Sequence, residues 1–310
     1  MADGNNCIPR IRFGPITWLT DSVRARLEEA VSRYKGSAWR IKSEKDLSEF
    51  ACHRCAIASD DSFAAFFKYN EAPEARRQFE VELDGLRTLA DKAGVLTPLP
   101  IDIVPVENGM LLVMEALSAI ERGHRQWLQM GATLARIHRI KRISHGYETN
   151  GYFGPLDQDN KPTPHWETFF RERRLLPMLR TAVNSGNLPS AIADKVESLV
   201  VRLPELCGPE TRPALLHGDA QQNNFISTAL GAFVIDPAVY YGNPEIDLAL
   251  VDSFQPVPDA FFEGYLEELP IDSGFDERRD LWRIPSYLAA VAIEGAGHLN
   301  RLTGALRKYE

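Results

Sequence analysis

Residues 215–226 read LLHGDAQQNNFI, and residues 233–237, which follow after a short gap, read FVIDP. Two short apolar runs, 224–227 and 233–235, are separated by a connection that contains Gly231. Short apolar runs on either side of a glycine-containing connection are typical of a β-hairpin. The sequence therefore predicts a hairpin here, with its first strand directly after the polar segment.

A hairpin returns the chain to its starting point, so Asn224 and Asp236 are expected to lie side by side. Asp219 precedes Asn224 by five residues, in a loop that can fold over the same place. One carboxylate to orient an acceptor, with an amide and a second carboxylate as oxygen ligands, suits Mg²⁺-dependent phosphoryl transfer. A loop with capping Asp and Asn side chains is the alternative, since both residue types are common in turns.

Composition narrows the class of protein. The chain has 310 residues, 44% hydrophobic and 25% charged, and a formal net charge of −8. These values are ordinary for a globular protein, and the acidic balance argues against a broad nucleic-acid-binding surface. The sequence lacks an apolar run of about 20 residues, the length that a membrane span requires. Residues 1–6 combine neither a basic cluster nor an apolar stretch, so we expect no secretory signal, no membrane partner and a cytoplasmic location.

The chain contains four cysteines, Cys7, Cys52, Cys55 and Cys207. Four cysteines in a chain of this length do not form a disulfide framework. Cys52 and Cys55 are spaced as a metal or redox pair, but the second ligand pair of a zinc site is missing from the sequence. We expect a reduced pair in a strand.

The first third of the chain alternates strand and helix patterns. Apolar residues at helical spacing predict helices over 16–34 and 73–92, the second ending at Gly94. Period-two patterns and turn residues predict four strands, over 56–58, 62–69, 101–106 and 110–117. An Asn-Gly pair at 108–109 makes the last two a hairpin.

Helical patterns dominate after Leu117. They cover 124–141, 166–185, 189–202 and a series from 258 to 308, interrupted by the predicted hairpin. The sequence therefore predicts an α+β fold with two lobes. Residues 1–116 would form a small N-terminal, antiparallel-sheet, nucleotide-binding lobe with one prominent helix, and residues 117–310 a larger, mostly helical lobe for catalysis and acceptor binding.

The N-terminal lobe is expected to supply a cation for the phosphates of a nucleotide. Lys68 interrupts an apolar strand, and an isolated buried ammonium would be costly, so an acid should balance it. Glu82 on the following helix is the predicted partner, with Glu80 as its competitor. A snorkelling lysine at a strand edge is the alternative interpretation.

Two further segments are expected to contact ATP. Residues 43–50 occupy the place of a phosphate-covering loop but lack glycine, so Ser48 would have to offer its hydroxyl and backbone N–H. A solvated turn is the simpler prediction for this segment. The backbone of residues 114–117, including Glu115 and Leu117, could pair with an adenine edge.

These residues resemble the fructosamine kinase family, a branch of the protein-kinase-like phosphotransferases that includes aminoglycoside and choline kinases. The resemblance runs from about residue 45 to the C-terminal helices. It is carried by FFKYN at 66–70, FEVE at 79–82, NGYFG at 150–154, WETFFRERRL at 166–175, the 217–224 loop and DPAVYYGNPEIDLA at 236–249.

The resemblance implies a protein-kinase-like fold, with ATP and Mg²⁺ as cofactors. It implies that Asp219 is the catalytic base, Asn224 and Asp236 bind Mg²⁺, and Lys68 with Glu82 positions ATP. The family phosphorylates a sugar hydroxyl of ketosamines (fructosamines and ribulosamines), the glycation products of amines, which leads to repair of the amine. The implied partner is therefore a small-molecule or glycated-amine substrate.

The sequence departs from the family on the acceptor side. Where the family typically has Leu-Trp-Ser-Gly, this chain has residues 220–223, AQQN. Acceptor contacts are expected from Gln221, Gln222, Tyr240 and Trp166. Trp166 also fits an ordinary core position, and His217 is expected to brace the loop through backbone hydrogen bonds.

Three alternatives stay open at the level of sequence. The first is an aminoglycoside-type or other small-molecule O-phosphotransferase, which the altered acceptor side allows. The second is a catalytically idle nucleotide-binding module, which the glycine-free phosphate loop allows. The third, a metal hydrolase, is weaker because such sites usually recruit histidine ligands, and His217 is the only histidine near the acidic residues in sequence.

Overall fold

A computed structural model of the protein describes residues 16–50 and 53–310. Cys7 and Cys52 lie outside the described residues. Of the expected Cys52–Cys55 pair, only Cys55 is therefore described. The chain divides into two compact units. The first comprises residues up to 80 together with 98–117, and the second comprises 81–97 and 118–310. The units thus differ from the contiguous lobes of the sequence prediction, because residues 81–97 belong to the second unit.

The first unit is built on one antiparallel sheet with the strand order β1-β2-β3-β5-β4. The strands are β1 (Ser43–Asp46), β2 (Arg54–Ser59), β3 (Ala64–Asn70), β4 (Pro100–Val106) and β5 (Gly109–Glu115). The four predicted strands correspond to β2–β5. The segment predicted as a solvated turn is instead β1 followed by a 3₁₀ turn, Ser48–Phe50, because residues 43–46 pair with β2 in regular antiparallel register.

Helix α1 (Asp21–Lys35) belongs to the same unit, and its ends have clear local causes. The hydroxyl of Thr20 accepts a hydrogen bond from the backbone N–H of Val23 at 3.3 Å, and Gly36 ends the helix with a left-handed φ of 68°. A threonine N-cap and a glycine after the last turn are standard helix boundaries. The helix therefore begins at residue 21, later than the predicted residue 16. Its apolar face joins Trp39 and Phe67 in the core of this unit.

Helix α2 (Ala75–Ala93) agrees with the predicted helix over 73–92. The remaining helices all lie in the second unit, and their bounds are α3 (His124–His138), α4 (Trp166–Phe170), α5 (Leu176–Asn184), α6 (Ser190–Val201), α7 (Leu203–Leu206), α8 (Glu245–Leu250), α9 (Asp259–Leu266), α10 (Phe275–Glu294) and α11 (Leu299–Arg307). None of the helices in the described part of the chain has the length and apolarity needed to cross a membrane.

Three two-stranded sheets interrupt these helices. Their strands are β6 (Gly151–Phe153) with β7 (Leu156–Gln158), β8 (Ala214–Leu216) with β11 (Tyr240–Gly242), and β9 (Phe225–Thr228) with β10 (Gly231–Val234). The β9–β10 pair is the predicted hairpin, with a shorter connection than expected. The hydroxyl of Thr228 accepts from the N–H of Leu230 and donates to the carbonyl of Gly231, which closes the turn within two residues.

The predicted helix over 166–185 is continuous but contains a π-helical turn, Arg171–Leu175, between α4 and α5. In an α-helix the carbonyl of Arg173 would accept from the N–H of residue 177, but Pro177 has none. The Nη1 of Arg174 donates to that carbonyl instead, at 2.8 Å. The proline and the buried guanidinium together account for the wider turn.

Candidate functional site

The loop after β8 is fixed by a close contact between two backbones. Gly218 has a φ of 81°, and a Cβ at this position would lie 1.9 Å from the carbonyl oxygen of Ala238. Only glycine fits so close an approach in a left-handed conformation. The N–H of Ala238 also donates to the carbonyl of His217 at 2.8 Å. Asp219 is thereby held against the segment that carries Asp236.

The hairpin brings Asn224 and the chain next to Asp236 together, as predicted. The N–H of Ile235 donates to the carbonyl of Asn224 at 3.0 Å, one residue before Asp236. Asp236 has a φ of 53°, although it is not glycine. A left-handed residue that is not glycine costs about 1–3 kcal/mol and is enriched at functional sites. The strain sets the direction in which the chain presents this carboxylate.

Two amides hold the carboxylate of Asp219. The Nε2 of Gln221 donates to Oδ1 at 2.8 Å, and the Nδ2 of Asn224 donates to Oδ2 at 3.0 Å and to the carbonyl of Asp219 at 2.8 Å. Burial raises the pKa of Asp219 to about 6; the charge of Asp236 also raises this pKa, while the two amide hydrogen bonds lower it. The result is a positioned, partly desolvated carboxylate of the kind used as a general base.

Asp247 holds the loop that carries Asp219 through two backbone hydrogen bonds. The sequence did not predict these contacts. The Oδ2 of Asp247 accepts from the N–H of His217 at 2.7 Å, and its Oδ1 accepts from the N–H of Gly218 at 3.0 Å. The Nε2 of His138 lies 3.2 Å from Oδ2. Asp247 lies in the family-like segment NPEID at 243–247, which was the available signal, but its buried partners are distant in sequence.

His217 has the predicted bracing role. Its ring lies 3.0 Å, through Nε2, from the carbonyl of Ile235, and its Nδ1 accepts from the N–H of Asp219 at 3.3 Å. This pattern requires a neutral ring with its proton on Nε2. Burial lowers the pKa of His217, which favours that neutral form.

The residues of this loop and hairpin fit a magnesium ion. The Nδ2 of Asn224 faces Asp219, so the Oδ1 of the same carboxamide points away from that carboxylate. An amide oxygen and a carboxylate are hard ligands of the type that Mg²⁺ prefers, and Mg²⁺ usually takes few protein ligands beside phosphate oxygens. Within residues 16–50 and 53–310, the structure contains no cluster of three or more His, Cys, Asp or Glu side chains that could hold a metal ion. A metal ion at this hairpin would therefore need the amide oxygen of Asn224 and phosphate oxygens beside a carboxylate.

The residues predicted to position ATP lie in known elements, and their joint role stays a prediction. Lys68 is buried in β3, opposite Leu112 of β5, and Glu82 is half-buried in α2. The carboxylate of Glu115 accepts from the hydroxyl of Tyr34 at 2.7 Å. The N–H groups of Glu115 and Ala116 donate to the carbonyls of Leu99 and Ala64, so these two donors are engaged within the sheet. Adenine pairing by the backbone of Glu115 and Leu117 stays a prediction.

The hydroxyl of Ser48 is engaged within its own turn. It donates to Oδ1 of Asp46 at 2.6 Å and accepts from the N–H of Cys55 at 3.1 Å. The N–H of Ser48 donates to the same Asp46 oxygen at 2.9 Å. A phosphate contact would require Ser48 to give up these bonds, so this geometry does not favour the predicted ATP contact.

The four acceptor-side residues separate into two pairs. Gln221 and Gln222 line a shallow surface pocket, together with Asn223, Leu250, Val251, Phe254 and Gln255. Trp166 and Tyr240 are each 2% exposed and belong to the core of the second unit. Trp166 packs against Phe170 and Trp282, so its burial does not favour a direct acceptor contact. Tyr240 lines a pocket together with Gln158 and Gly218, so an acceptor contact by Tyr240 stays a prediction.

Known proteins match this chain over most of its length. It is 28% identical over 299 residues to a probable ketoamine kinase of Synechocystis, which covers 95% of this chain and 97% of the relative. A candidate fructosamine-3-kinase of Thermobifida fusca is 28% identical, and its crystal structure aligns with a TM-score of 0.79 over 93% of this chain and 98% of that one.

The fold extends to a wider group of phosphotransferases. The crystal structure of a thermostable mutant of aminoglycoside phosphotransferase APH(4)-Ia aligns with a TM-score of 0.58 over 91% of this chain and 99% of that chain, at 14% identity. This likeness concerns the fold alone. Together with the N-terminal antiparallel sheet, it confirms the predicted α+β, protein-kinase-like fold class.

A family model settles the relationship that the motifs suggested. The model described as fructosamine kinase matches residues 24–309, which is nearly the whole chain. The match includes the loop that carries Asp219 and the β9–β10 hairpin, and it confirms the prediction of an ATP-dependent kinase. The chain belongs to the fructosamine kinase family.

Proposed function

We propose that this protein uses ATP and Mg²⁺ to phosphorylate a hydroxyl of a ketoamine, a sugar joined to an amine. The observation that carries the proposal is the pair of amide hydrogen bonds from Gln221 and Asn224 that fixes Asp219 beside the metal-binding hairpin. The family and the name of the Synechocystis relative support the acceptor class. Repair of glycated amines, in the cytoplasm, is the corresponding cellular role.

The chemistry follows from the groups in the second unit. Asp219 accepts a hydrogen bond from the acceptor hydroxyl and takes its proton as the oxygen attacks the γ-phosphorus of ATP. The bond between that phosphorus and the bridging oxygen of ADP breaks, so a phosphate ester and ADP are formed. Asn224 and Asp236 would hold Mg²⁺, which neutralises charge on the phosphates when bound. Lys68 with Glu82 would orient the nucleotide.

The acceptor side supports a polyhydroxylated substrate. Gln221, which donates to Asp219, lines a surface pocket together with Gln222, Gln255 and the ring of Phe254. Carboxamides can donate to and accept from sugar hydroxyls, and an aromatic ring suits an apolar sugar face. The absence of acidic or basic side chains among these lining residues suits a neutral sugar chain more than a polycationic aminoglycoside.

A panel of acceptors tests the proposal. ADP release would be measured with ketoamines formed from lysine and from small amines, with aminoglycosides, and with free sugars as controls. We expect turnover with ketoamines that exceeds the rate without acceptor by at least about 100-fold, as befits a positioned base. Turnover only with aminoglycosides would mean that the acceptor is an aminoglycoside and not a ketoamine. Aminoglycosides are the second candidate because Gln221 stands in the place of the family's tryptophan.

An Asp219→Ala variant tests whether the protein is an enzyme or an idle nucleotide-binding module. An enzyme should keep nucleotide affinity and lose turnover. Asp102→Ala is a matched control, because Asp102 is a partly exposed carboxylate of β4, in the first unit, that pairs with Arg33 at 3.1 Å. Equal residual activity in the two variants would reject the assigned base.

A further inference from the structure

Arg122 makes an unusual set of contacts with the turn that carries Asn224. Its Nη2 donates to the carbonyl of Gln222 at 3.1 Å and to the carbonyl of Phe225. These two carbonyls flank Asn224 on either side, because Gln222–Asn224 is a 3₁₀ turn that leads directly into β9. A single guanidinium nitrogen therefore clamps both ends of the turn.

The guanidinium of Arg122 also contacts a side chain outside the turn. The guanidinium of Arg122 lies over the ring of Trp127, 5.2 Å from its centre, and Trp127 belongs to α3. The N–H of Ile120, in the same extended segment, donates to the carbonyl of Ser227 in β9 at 2.9 Å. The segment before α3 thus follows the first strand of the hairpin, and Arg122 has little freedom to move away.

The electrostatic setting of Arg122 differs from that of three arginines of α10. Arg278, Arg279 and Arg283 all form ion pairs with carboxylates. Burial lowers the pKa of Arg122 with no opposing effect from an acid. Its two carbonyl acceptors and the Trp127 ring therefore offset the cost of desolvating the guanidinium in place of an acid.

The turn positions Asn224 through its backbone and its side chain. The N–H of Asn224 donates to the carbonyl of Gln221 at 2.9 Å, and the Nδ2 donates to Asp219. If the turn opened, the carboxamide would rotate, and its Oδ1 would lose the direction that a metal ion requires. Ligand-supporting contacts outside the ligands themselves commonly change metal affinity by about 10–100-fold.

We propose that Arg122 is a positioning residue for the metal ligand Asn224. It closes the 3₁₀ turn from the segment that precedes α3, so the carboxamide oxygen is oriented before nucleotide and metal bind. This inference rests on the proposed function, since it takes Asn224 as a Mg²⁺ ligand. In sequence, Arg122 follows the residues expected to contact adenine, so the same stretch of chain would serve both the nucleotide base and the metal.

The test measures metal binding directly on the full chain. Mn²⁺ would replace Mg²⁺, and free Mn²⁺ would be followed by electron paramagnetic resonance in the presence of the non-hydrolysable analogue AMP-PNP. Arg122→Ala should weaken Mn²⁺ binding by about tenfold, the effect of losing one net orienting hydrogen bond. Arg122→Lys, whose ammonium can still donate to both carbonyls, should remain within about threefold of wild type.

A matched control separates positioning from general stability. Arg139 also donates to a carbonyl, that of Glu268 at 3.1 Å, but lies away from the catalytic loop. Arg139→Ala should leave Mn²⁺ binding unchanged. AMP-PNP affinity without metal should be the same in all variants, because Arg122 is assigned no contact with the nucleotide.

The outcomes distinguish the inference from the proposed function. A folded Arg122→Ala protein with wild-type Mn²⁺ affinity would overturn the inference about Arg122. The proposed kinase function would not be affected by that result. Wild-type protein that binds Mn²⁺ with AMP-PNP but phosphorylates no ketoamine would overturn the proposed acceptor and leave the inference standing. If Arg122→Ala does not fold, Arg122→Gln decides the question, since it retains one donor group and should show an intermediate loss.

Discussion

The carboxamide nitrogen of Asn224 donates to Asp219 at two atoms. This Nδ2 lies 3.0 Å from the side-chain Oδ2 and 2.8 Å from the carbonyl oxygen of Asp219. The oxygen of the same group is therefore directed elsewhere, where a cation could use it. One side chain would thus couple the orientation of the proposed base to the geometry of the proposed metal site.

Removal of the charge of Asp219 should lower turnover without weakening nucleotide binding. Asp219→Asn keeps the size of the side chain and can still accept from Gln221, but it cannot take a proton. We expect kcat to fall by at least about 100-fold, the usual contribution of a general base. Steady-state kinetics and fluorescence titration with an ATP analogue measure the two effects. A kcat within a few fold of wild type would contradict the assignment.

The charge and the backbone of Asp236 can be separated by substitution. Asp236→Asn keeps a residue type that tolerates a left-handed backbone but removes the charge, so we expect loss of Mg²⁺-dependent activity with little change in the free energy of unfolding. Asp61 is a control, because it is an exposed aspartate with a φ of 75°. Asp61→Asn should leave activity unchanged. Full activity of Asp236→Asn would exclude the carboxylate as a required ligand.

Gly218 should be intolerant of even one methyl group. In Gly218→Ala the new Cβ would lie 1.9 Å from the carbonyl oxygen of Ala238, so the loop must move. Gly154→Ala is the control, since Gly154 has a φ of 56° but a Cβ added there would meet nothing within 4 Å. The free energy of unfolding of Gly154→Ala should fall only by the cost of a left-handed backbone at alanine, about 1–2 kcal/mol. Urea unfolding and kcat should both show a larger loss for Gly218→Ala.

The stability of the second unit should decrease on acidification because of buried histidines. Burial lowers the pKa of His145 more than the neighbouring carboxylate of Glu210 raises it. Below about pH 6.5 the unfolded chain therefore binds a proton that the folded protein does not, so stability falls as the pH falls. His145→Gln should reduce the slope of unfolding free energy against pH by up to about 1.4 kcal/mol per pH unit in that range.

The matching measurement is a series of urea unfolding curves between pH 5 and pH 8. His165 is a suitable control, since it lies 3.9 Å from the same carboxylate, that of Glu210, and is largely exposed. His165→Gln should have the slope of the wild-type protein. An unchanged slope for His145→Gln would show that His145 is as easily protonated in the folded protein as in the unfolded chain.

Local patterns were sufficient to predict most elements. The Asn-Gly pair at 108–109 predicted the β4–β5 hairpin, and apolar spacing predicted α2, because in both cases the signal lies within neighbouring residues. Boundaries failed where a single side chain intervened. The hydroxyl of Thr228 tightened the hairpin turn, and the cap at Thr20 delayed α1. These are contacts of one atom, which a hydrophobic pattern does not record.

The loop and hairpin were predictable from spacing, but their supports were not. Asp219, Asn224 and Asp236 are close in sequence, so their grouping follows from a hairpin. Asp247 and Arg122 reach the same loop from helices and segments far along the chain. For Trp166 the residue type was the misleading signal. Tryptophan is a common sugar contact, but Trp166 lies in the core, and only the packing of the folded chain separates the two possibilities.

The left-handed backbone at Asp236, directly before Pro237, restricts which amino acids evolution could place there. Glycine and asparagine satisfy the backbone, whereas glutamate would keep a charge at the cost of a conformation that longer side chains avoid. A library randomised at this codon and selected for protease resistance should return asparagine and glycine beside aspartate. The same library selected for growth that depends on phosphorylation should return aspartate alone.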